Sequence, residues 1–295
     1  MAKSSSHERG ILSPFDFRKP VVKIGYAVML ALLVALAFTM IYPFLVTAFN
    51  AFKSREDIYT FPPTLLPKEW VWSNFADGLR YVDVVHHMLN TFAIYAGSMA
   101  VAIVCIGLTA FSLSHLPLPY RKAFTLFFMC TLMIPSATYM IPNYLNLQQL
   151  GLLDTYWAFW LPAAANAFWI LLLKSFFDGI HKELFEAARI DGASELRCFF
   201  RLAIPLSYPI IATILIFGFT STWNEWFWAG LVISSPEKYP IATAVYKYVL
   251  SGETSNIQVN IRFAVLALVM LPPLVMFAFL QKFIIRGVNL SGVKG

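Results

Sequence analysis

Charged side chains are scarce in this sequence: Asp, Glu, Lys and Arg make up 13% of its 295 residues, while 59% are hydrophobic. Soluble domains carry about 25% charged residues, so there is too little polar surface to clothe a globular protein of this length. Cysteine is also rare, and Cys105, Cys130 and Cys198 have neither metal-ligand nor redox spacing, which argues against a zinc site or a disulfide framework. His86, His87, His115 and His181 are dispersed and form no metal site. No Ser, Cys and His grouping suggests hydrolysis, so no catalytic residue is expected. A phosphate-binding loop is missing as well. Its nearest approach, Gly287 to Gly292, puts Val293 before Lys294 and has no following helix. The net charge of +6 would suit nucleic acid, but the basic residues lie between apolar runs and form no stripe, so no nucleic-acid partner is expected.

Long apolar runs are what the sequence has instead. A bilayer span needs about 20 apolar residues, and six segments qualify: Ile24–Phe49, Leu89–Ser114, Ala123–Leu145, Tyr156–Phe177, Pro205–Ile233 and Phe263–Ile285. Hydrocarbon cannot satisfy exposed backbone groups, so each is predicted to be helical. The expectation is an all-α integral membrane protein with the lipid bilayer as a partner: a polar segment 1–23, one transmembrane domain 24–290 and a tail 291–295. Ala35-Leu36-Ala37 resembles a signal-peptide cleavage triplet, but the run continues without charge to Phe52, which predicts a retained helix. Fifteen of the 22 Lys and Arg residues fall in the N-terminus, the second and fourth loops and the C-terminus. By the positive-inside rule both termini are then cytoplasmic.

Two loops stand out. The first, Asn50 to Met88, holds Pro62, Pro63 and Pro67, which predict an irregular start, and Trp70 and Trp72, which suit the membrane interface. The fourth, 178–204, mixes charges of both signs. Glu183, Leu184, Glu186, Ala187, Ala188 and Arg189 are good helix formers, Asp191-Gly192 is a turn signal and Ser194 to Arg201 suits a second short helix. Leu196, Phe199 and Phe200 fall at i, i+3 and i+4 and predict one apolar stripe.

Within that loop, Glu186-Ala187-Ala188, three residues, Gly192, nine residues, then Leu202-Ala203-Ile204-Pro205 resembles the EAA motif of the membrane subunits of binding-protein-dependent ABC importers. Leu202 stands where that motif usually has Ile and Ile204 where it usually has Leu, both apolar exchanges. The resemblance implies a type I ABC importer permease fold in a prokaryotic inner membrane, with a coupling helix that docks on a separate ATPase. Glu186, Ala187, Ala188, Asp191, Gly192 and Pro205 would be the coupling residues, Glu186 making the charged contact and Gly192 the sharp turn. It also implies the partners: a second homologous permease, two ATP-binding subunits that hold ATP and magnesium, and an extracytoplasmic solute-binding protein. No cofactor is expected on this chain. Thr222-Trp223-Asn224-Glu225-Trp226-Phe227-Trp228, Tyr239-Pro240-Ile241 and the ending from Arg286-Gly287-Val288 to Gly295 resemble the carbohydrate branch, in particular its maltose-type second permease.

Candidates for a substrate pathway follow from the cost of polar groups in hydrocarbon. Glu225 is the only acidic residue within an apolar run. With Trp223, Asn224 and Trp226 it suits a sugar-lined pore, where aromatic faces pack on pyranose rings, although packing in an interfacial aromatic belt is the alternative. Asn143 and Asn166 are further candidates, with interhelical hydrogen bonding as their commoner use. Pro135, Pro142, Pro162, Pro272 and Pro273 are expected to kink helices. Two alternatives stay open: another polar solute, or a secondary transporter driven by an ion gradient, which would normally place several ionisable groups in its spans.

Overall fold

The computed structural model describes residues 19–251 and 257–292, and among these every regular element is helical. In chain order the α-helices are α1 (Pro20–Asn50), α2 (Arg55–Ile58), α3 (Ser73–Tyr81), α4 (Val84–His115), α5 (Arg121–Thr131), α6 (Ser136–Gln149), α7 (Trp157–Ala163), α8 (Ala167–Asp178), α9 (Lys182–Ile190), α10 (Glu195–Cys198), α11 (Ile204–Leu206), α12 (Tyr208–Trp223), α13 (Phe227–Val232), α14 (Ile241–Val245) and α15 (Val259–Gly292), with π turns at Phe199–Ala203 and Tyr246–Leu250 and a 3₁₀ turn at Pro236–Lys238. Lys3, Arg9, Arg18 and the closing Val293-Lys294-Gly295 lie outside the described residues, as do the side chains of Arg286 to Gly292.

By length and composition α1, α4 and the Val259–Phe279 stretch of α15 can each cross a membrane, and three bent helix pairs bring the number to six if each pair is one span. The spans are thus fewer in continuous form than the apolar runs suggest, and each break has a local cause. The third run splits into α5 and α6 with a bend of 100°. Pro135 lacks an N–H and biases Ile134 away from helical dihedrals, so the break falls just before α6. The fourth bends by 43° between α7 and α8. There Asn166 takes an extended conformation and its Oδ1 accepts the Trp169 N–H at 3.0 Å, capping α8. The fifth bends by 78° at Ser207, with Pro209 at the start of α12. That run was expected to stay helical to Ile233, but α12 ends at Trp223 and α13 begins afresh at Phe227. Among the other prolines, Pro142 and Pro162 sit inside α6 and α7, and α15 continues through Pro272 and Pro273.

At the center stands α4, 32 residues or about 48 Å long, packed on α7, α8, α12 and α14. It begins at Val84, five residues before the expected start, because Asp83 Oδ1 accepts the His86 N–H at 3.1 Å and caps it. A methyl group on Gly97 would collide with the Trp160 indole, so glycine lets α7 approach closely. At the other extreme, α1 packs along α15 and buries none of its residues. Leu32, Val34 and Phe38 are more than half exposed, a surface that suits lipid and not water.

Two apolar clusters divide the interior. One, around Ile106, Phe111, Phe177, Phe185 and Phe199, lies at the α4 C-terminus. The other, around Val84, Phe219, Trp223, Ile241 and Val265, lies toward its N-terminus. The first loop opens with a single helical turn, α2, capped by Ser54, and then runs without regular structure from 59 to 72 through Pro62, Pro63 and Pro67, as expected; Asn74 Nδ2 donates to the carbonyls of Ala51 and Lys53, both at 2.9 Å. Trp70 and Trp72 pack edge-on against Phe52 at 4.9 and 4.7 Å between ring centroids.

Candidate functional site

The 178–204 loop folds as a tight elbow clasped to the end of α4. The elbow closes through paired C-terminal capping bonds: the Gly192 N–H donates to the Arg189 carbonyl at 3.0 Å and the Ala193 N–H to the Ala188 carbonyl at 2.9 Å. This geometry requires a left-handed residue after Asp191, and Gly192 supplies it with φ of 80°. Ser194 then caps α10. Across the corner Arg189 grips Glu195 with two bonds, Nε to Oε1 at 2.7 Å and NH2 to Oε2 at 3.1 Å, the bidentate geometry that makes Arg–carboxylate pairs directional.

The elbow is moored by aromatic rings. Phe185 is fully buried, with its ring centroid 4.1 Å from that of His115 and 5.7 Å from that of Phe111. His115 Nε2 donates to the Phe177 carbonyl at 3.0 Å, and Arg189 NH2 donates to the His115 carbonyl at 3.4 Å. Alongside, Asp178 collects Ser114 at 2.6 Å, Arg121 at 3.0 Å and Lys174 at 2.6 Å, joining the ends of α4 and α8 to the start of α5. Glu186 and Ala187 are exposed, Ala188 is half-buried against the core, and Asp191 and Pro205 are exposed.

The expected stripe of Leu196, Phe199 and Phe200 is corrected by the structure. From Phe199 to Ala203 the chain winds as a π-helix, whose wider turn departs from α-helical spacing. Phe199 turns into the core, 5.7 Å from the Phe111 ring, while Leu196 and Phe200 stay 59% and 52% exposed. Ile190, at the elbow tip, is 87% exposed.

The second feature is a cleft of about 1050 Å³ between α4, the broken α5–α6 and α7–α8 pairs and the α12–α13 junction. It brings together three of the six pathway candidates, Asn143, Asn166 and Glu225, and adds Ser98, Tyr139 and Trp228. Glu225 sits in the break after α12, where its Oε1 accepts the Trp228 N–H at 2.8 Å and starts α13. The Trp228 indole N–H reaches the Ala158 carbonyl at 3.3 Å.

The other three candidates do not line this cleft. Trp223 is buried in the second apolar cluster, with its ring 5.2 Å from Phe219 and 5.8 Å from Phe92. Asn224 Nδ2 donates to the Thr220 carbonyl at 2.8 Å, and Trp226 stacks on Tyr246 at 4.1 Å. The helix break rotates Glu225 away from its sequence neighbors, so adjacency in the chain does not become adjacency in the cleft. Ser98 and Tyr139 were missed by sequence reasoning. A signal existed for Tyr139, since it follows the Pro135 break and discontinuous helices expose polar groups at mid-span. Ser98 looks like any serine in an apolar helix.

At the α4 N-terminus a third group of contacts closes the far end. Asp154 accepts from Lys238 Nζ at 2.8 Å, from Ser235 Oγ at 2.6 Å and from the N–H groups of Ser234 and Ser235. Burial opposes its ionization, but these bonds together hold the carboxyl well below the usual carboxylate range. Asn90 Nδ2 donates to the Glu237 and Tyr239 carbonyls, tying the same loop to α4.

Comparisons with known proteins agree with this architecture. The profile of the family described as "Binding-protein-dependent transport system inner membrane component" matches residues 102–290. The polygalacturonan/rhamnogalacturonan transport system permease protein YtcP of Bacillus subtilis is 32% identical over 288 residues, covering 92% of this chain and 96% of that one. The sn-glycerol-3-phosphate transport system permease protein UgpE of Pectobacterium atrosepticum is 30% identical, covering 84% and 90%. Among solved structures, a chain of a bacterial ABC transporter involved in the import of the acidic polysaccharide alginate superposes with a TM-score of 0.83 at 25% identity, covering 93% of this chain and 99% of that one.

Proposed function

Because the chain belongs to the binding-protein-dependent transport system inner membrane component family, and is thus a permease subunit of an ABC importer, we propose that it builds half of the translocation pathway for a carbohydrate. A second, homologous permease completes the pathway on the open side of the cleft. Two ATP-binding subunits hold ATP and magnesium, a solute-binding protein delivers substrate from outside, and both termini face the cytoplasm. The volume of the cleft, at the top of the range of about 300–1,000 Å³ usual for small-molecule sites, suits an oligosaccharide. Its mixture of aromatic faces, amides and hydroxyls suits sugar rings and their hydroxyl groups.

The observation that carries this reading is the double use of α4. At Ile94, Ser98 and Met99 the helix lines the cleft, and at Phe111 and His115 it clasps the elbow. Met99 and His115 are 16 residues apart, about 24 Å along one rigid helix. A push on α9 therefore moves the cleft wall directly, which is the mechanical requirement of alternating access. Glu186, Ala187 and Ala188, with Asp191 and Gly192 at the corner, form the face that meets the ATPase, while Pro205 sits where the elbow rejoins the span.

The test is uptake of radiolabeled oligosaccharide by proteoliposomes holding the whole importer, with ATP inside and binding protein outside. The expected result is uptake that needs the ATPase subunits and is abolished by Glu186→Lys in a complex that still assembles. Uptake that proceeds without ATP, driven by an imposed ion gradient, would sink the proposal.

A further inference from the structure

The cleft carries an unbalanced charge. Among the described residues that line it, Glu225 is acidic and no other side chain is acidic or basic. Its carboxylate is not neutralized nearby either, since among the described residues none forms an ion pair with it. One oxygen is engaged by the Trp228 N–H at 2.8 Å, which anchors the group at the start of α13 and leaves the second oxygen for a ligand. The surrounding wall is largely aromatic and aliphatic, with amides and hydroxyls as its polar groups.

We propose that this cleft selects against anionic sugars, and that the substrate it passes is an uncharged, hydroxyl-rich oligosaccharide. The inference rests on the carbohydrate reading above and narrows it. A carboxylate is a strong acceptor for sugar hydroxyls, so Glu225 rewards a neutral ring. A uronate or phosphate meets it as a like charge. At an effective dielectric of about 20 and a separation of about 6 Å, that repulsion corresponds to roughly a hundredfold loss of occupancy. The similar proteins point the other way by name, since alginate is acidic and polygalacturonan is a polymer of uronic acid. Import of neutral sugars would therefore set this chain apart from them in substrate.

The experiment compares uptake of neutral trisaccharides (maltotriose, cellotriose) and acidic ones (trigalacturonate, trimannuronate) by the complete importer in proteoliposomes with its binding protein. The intact chain is set beside Glu225→Gln. Glutamine keeps an oxygen to cap Trp228 and removes only the charge, and the variant-to-intact ratio for each sugar cancels the binding protein's own preference. The expected result is neutral uptake by the intact importer and a rise of tenfold or more in the acidic-to-neutral ratio in Glu225→Gln. Asn143→Lys, which adds a cation to the cleft and leaves the Glu225 cap intact, should move the ratio in the same direction. Preference of the intact importer for the acidic sugars, or a ratio within twofold in both variants, overturns the inference and leaves the carbohydrate reading standing. If neither sugar class is imported while another polar solute drives uptake, the carbohydrate reading itself falls, and this inference with it.

Discussion

Phe185→Ala should disconnect the 178–204 elbow from the membrane domain. The ring is fully buried against His115 and Phe111, and large-to-small replacement of a core phenylalanine costs about 3–5 kcal/mol. Phe199 moors the far arm of the elbow on the same Phe111 ring, 5.7 Å away, so the loss falls on α9, whose other bonds are weak. The Arg189–Glu195 pair lies within the elbow and holds nothing to α4, while the Arg189 bond to the His115 carbonyl is long, at 3.4 Å, and worth about 1 kcal/mol. Each 1.4 kcal/mol is about tenfold in an equilibrium, so the docked position of α9 should lose a factor of roughly a hundred or more. In proteoliposomes, substrate-stimulated ATP hydrolysis and uptake should both fall by more than tenfold, with the permease still in the membrane. Phe185→Leu, which refills most of the space, should retain a substantial part of both. Wild-type coupling in Phe185→Ala at normal membrane abundance would refute the argument that α4 receives the push through this ring.

Three further outcomes follow from the same geometry. Gly192 has φ of 80° and open space where a Cβ would stand, so Gly192→Ala should cost about 1–2 kcal/mol through the backbone alone; Gly192→Asn, which tolerates that region better, should keep more coupled uptake, and equal loss in both would contradict the backbone explanation. Reversing Arg189 to Glu or Glu195 to Arg singly should weaken coupling modestly, by about 1 kcal/mol given the partial exposure of the pair, and the double reversal should recover part of the loss in a double-mutant cycle. At the far end, Asp154 has a folded pKa below its ordinary 3.8, so its contacts add stability above that value and lose it as the pH falls through the folded pKa; the gap in melting temperature between the intact chain and Asp154→Asn should be constant from about pH 5 upward and shrink in acid, and a gap that widens in acid would reverse the assignment.

Much of the elbow was legible because its signals are local. Helix formers before Ile190 and the Asp191-Gly192 turn need only neighboring residues to act, and the observed α9 and corner follow them; the second helix expected over Ser194 to Arg201 begins on time as α10 but is α-helical only to Cys198. The apolar stripe failed for a physical reason: i, i+3, i+4 spacing assumes an α-helix, and the π turn at Phe199 sends one ring inward and leaves its neighbors outside. The cleft was half legible. Glu225, Asn143 and Asn166 stood out as polar groups in apolar runs, whereas Trp223, Asn224 and Trp226 were grouped with them by chain proximity that the break after α12 dissolves.

Hydropathy and charge determined that the chain is a helical membrane protein, because a 30 Å apolar slab admits little else and burial by composition needs no knowledge of neighbors. The spacing of Glu186, Ala187, Ala188, Gly192 and Pro205 determined its family resemblance. Tertiary structure alone decided where the spans break, that α4 is both the cleft wall and the elbow's mooring, and that Glu225 faces the cleft with no ion-pair partner among the described residues. Those facts depend on contacts between residues far apart in the chain, such as Ala158 with Trp228 and His115 with Phe185. Only packing in three dimensions brings such pairs together, and no local pattern encodes it.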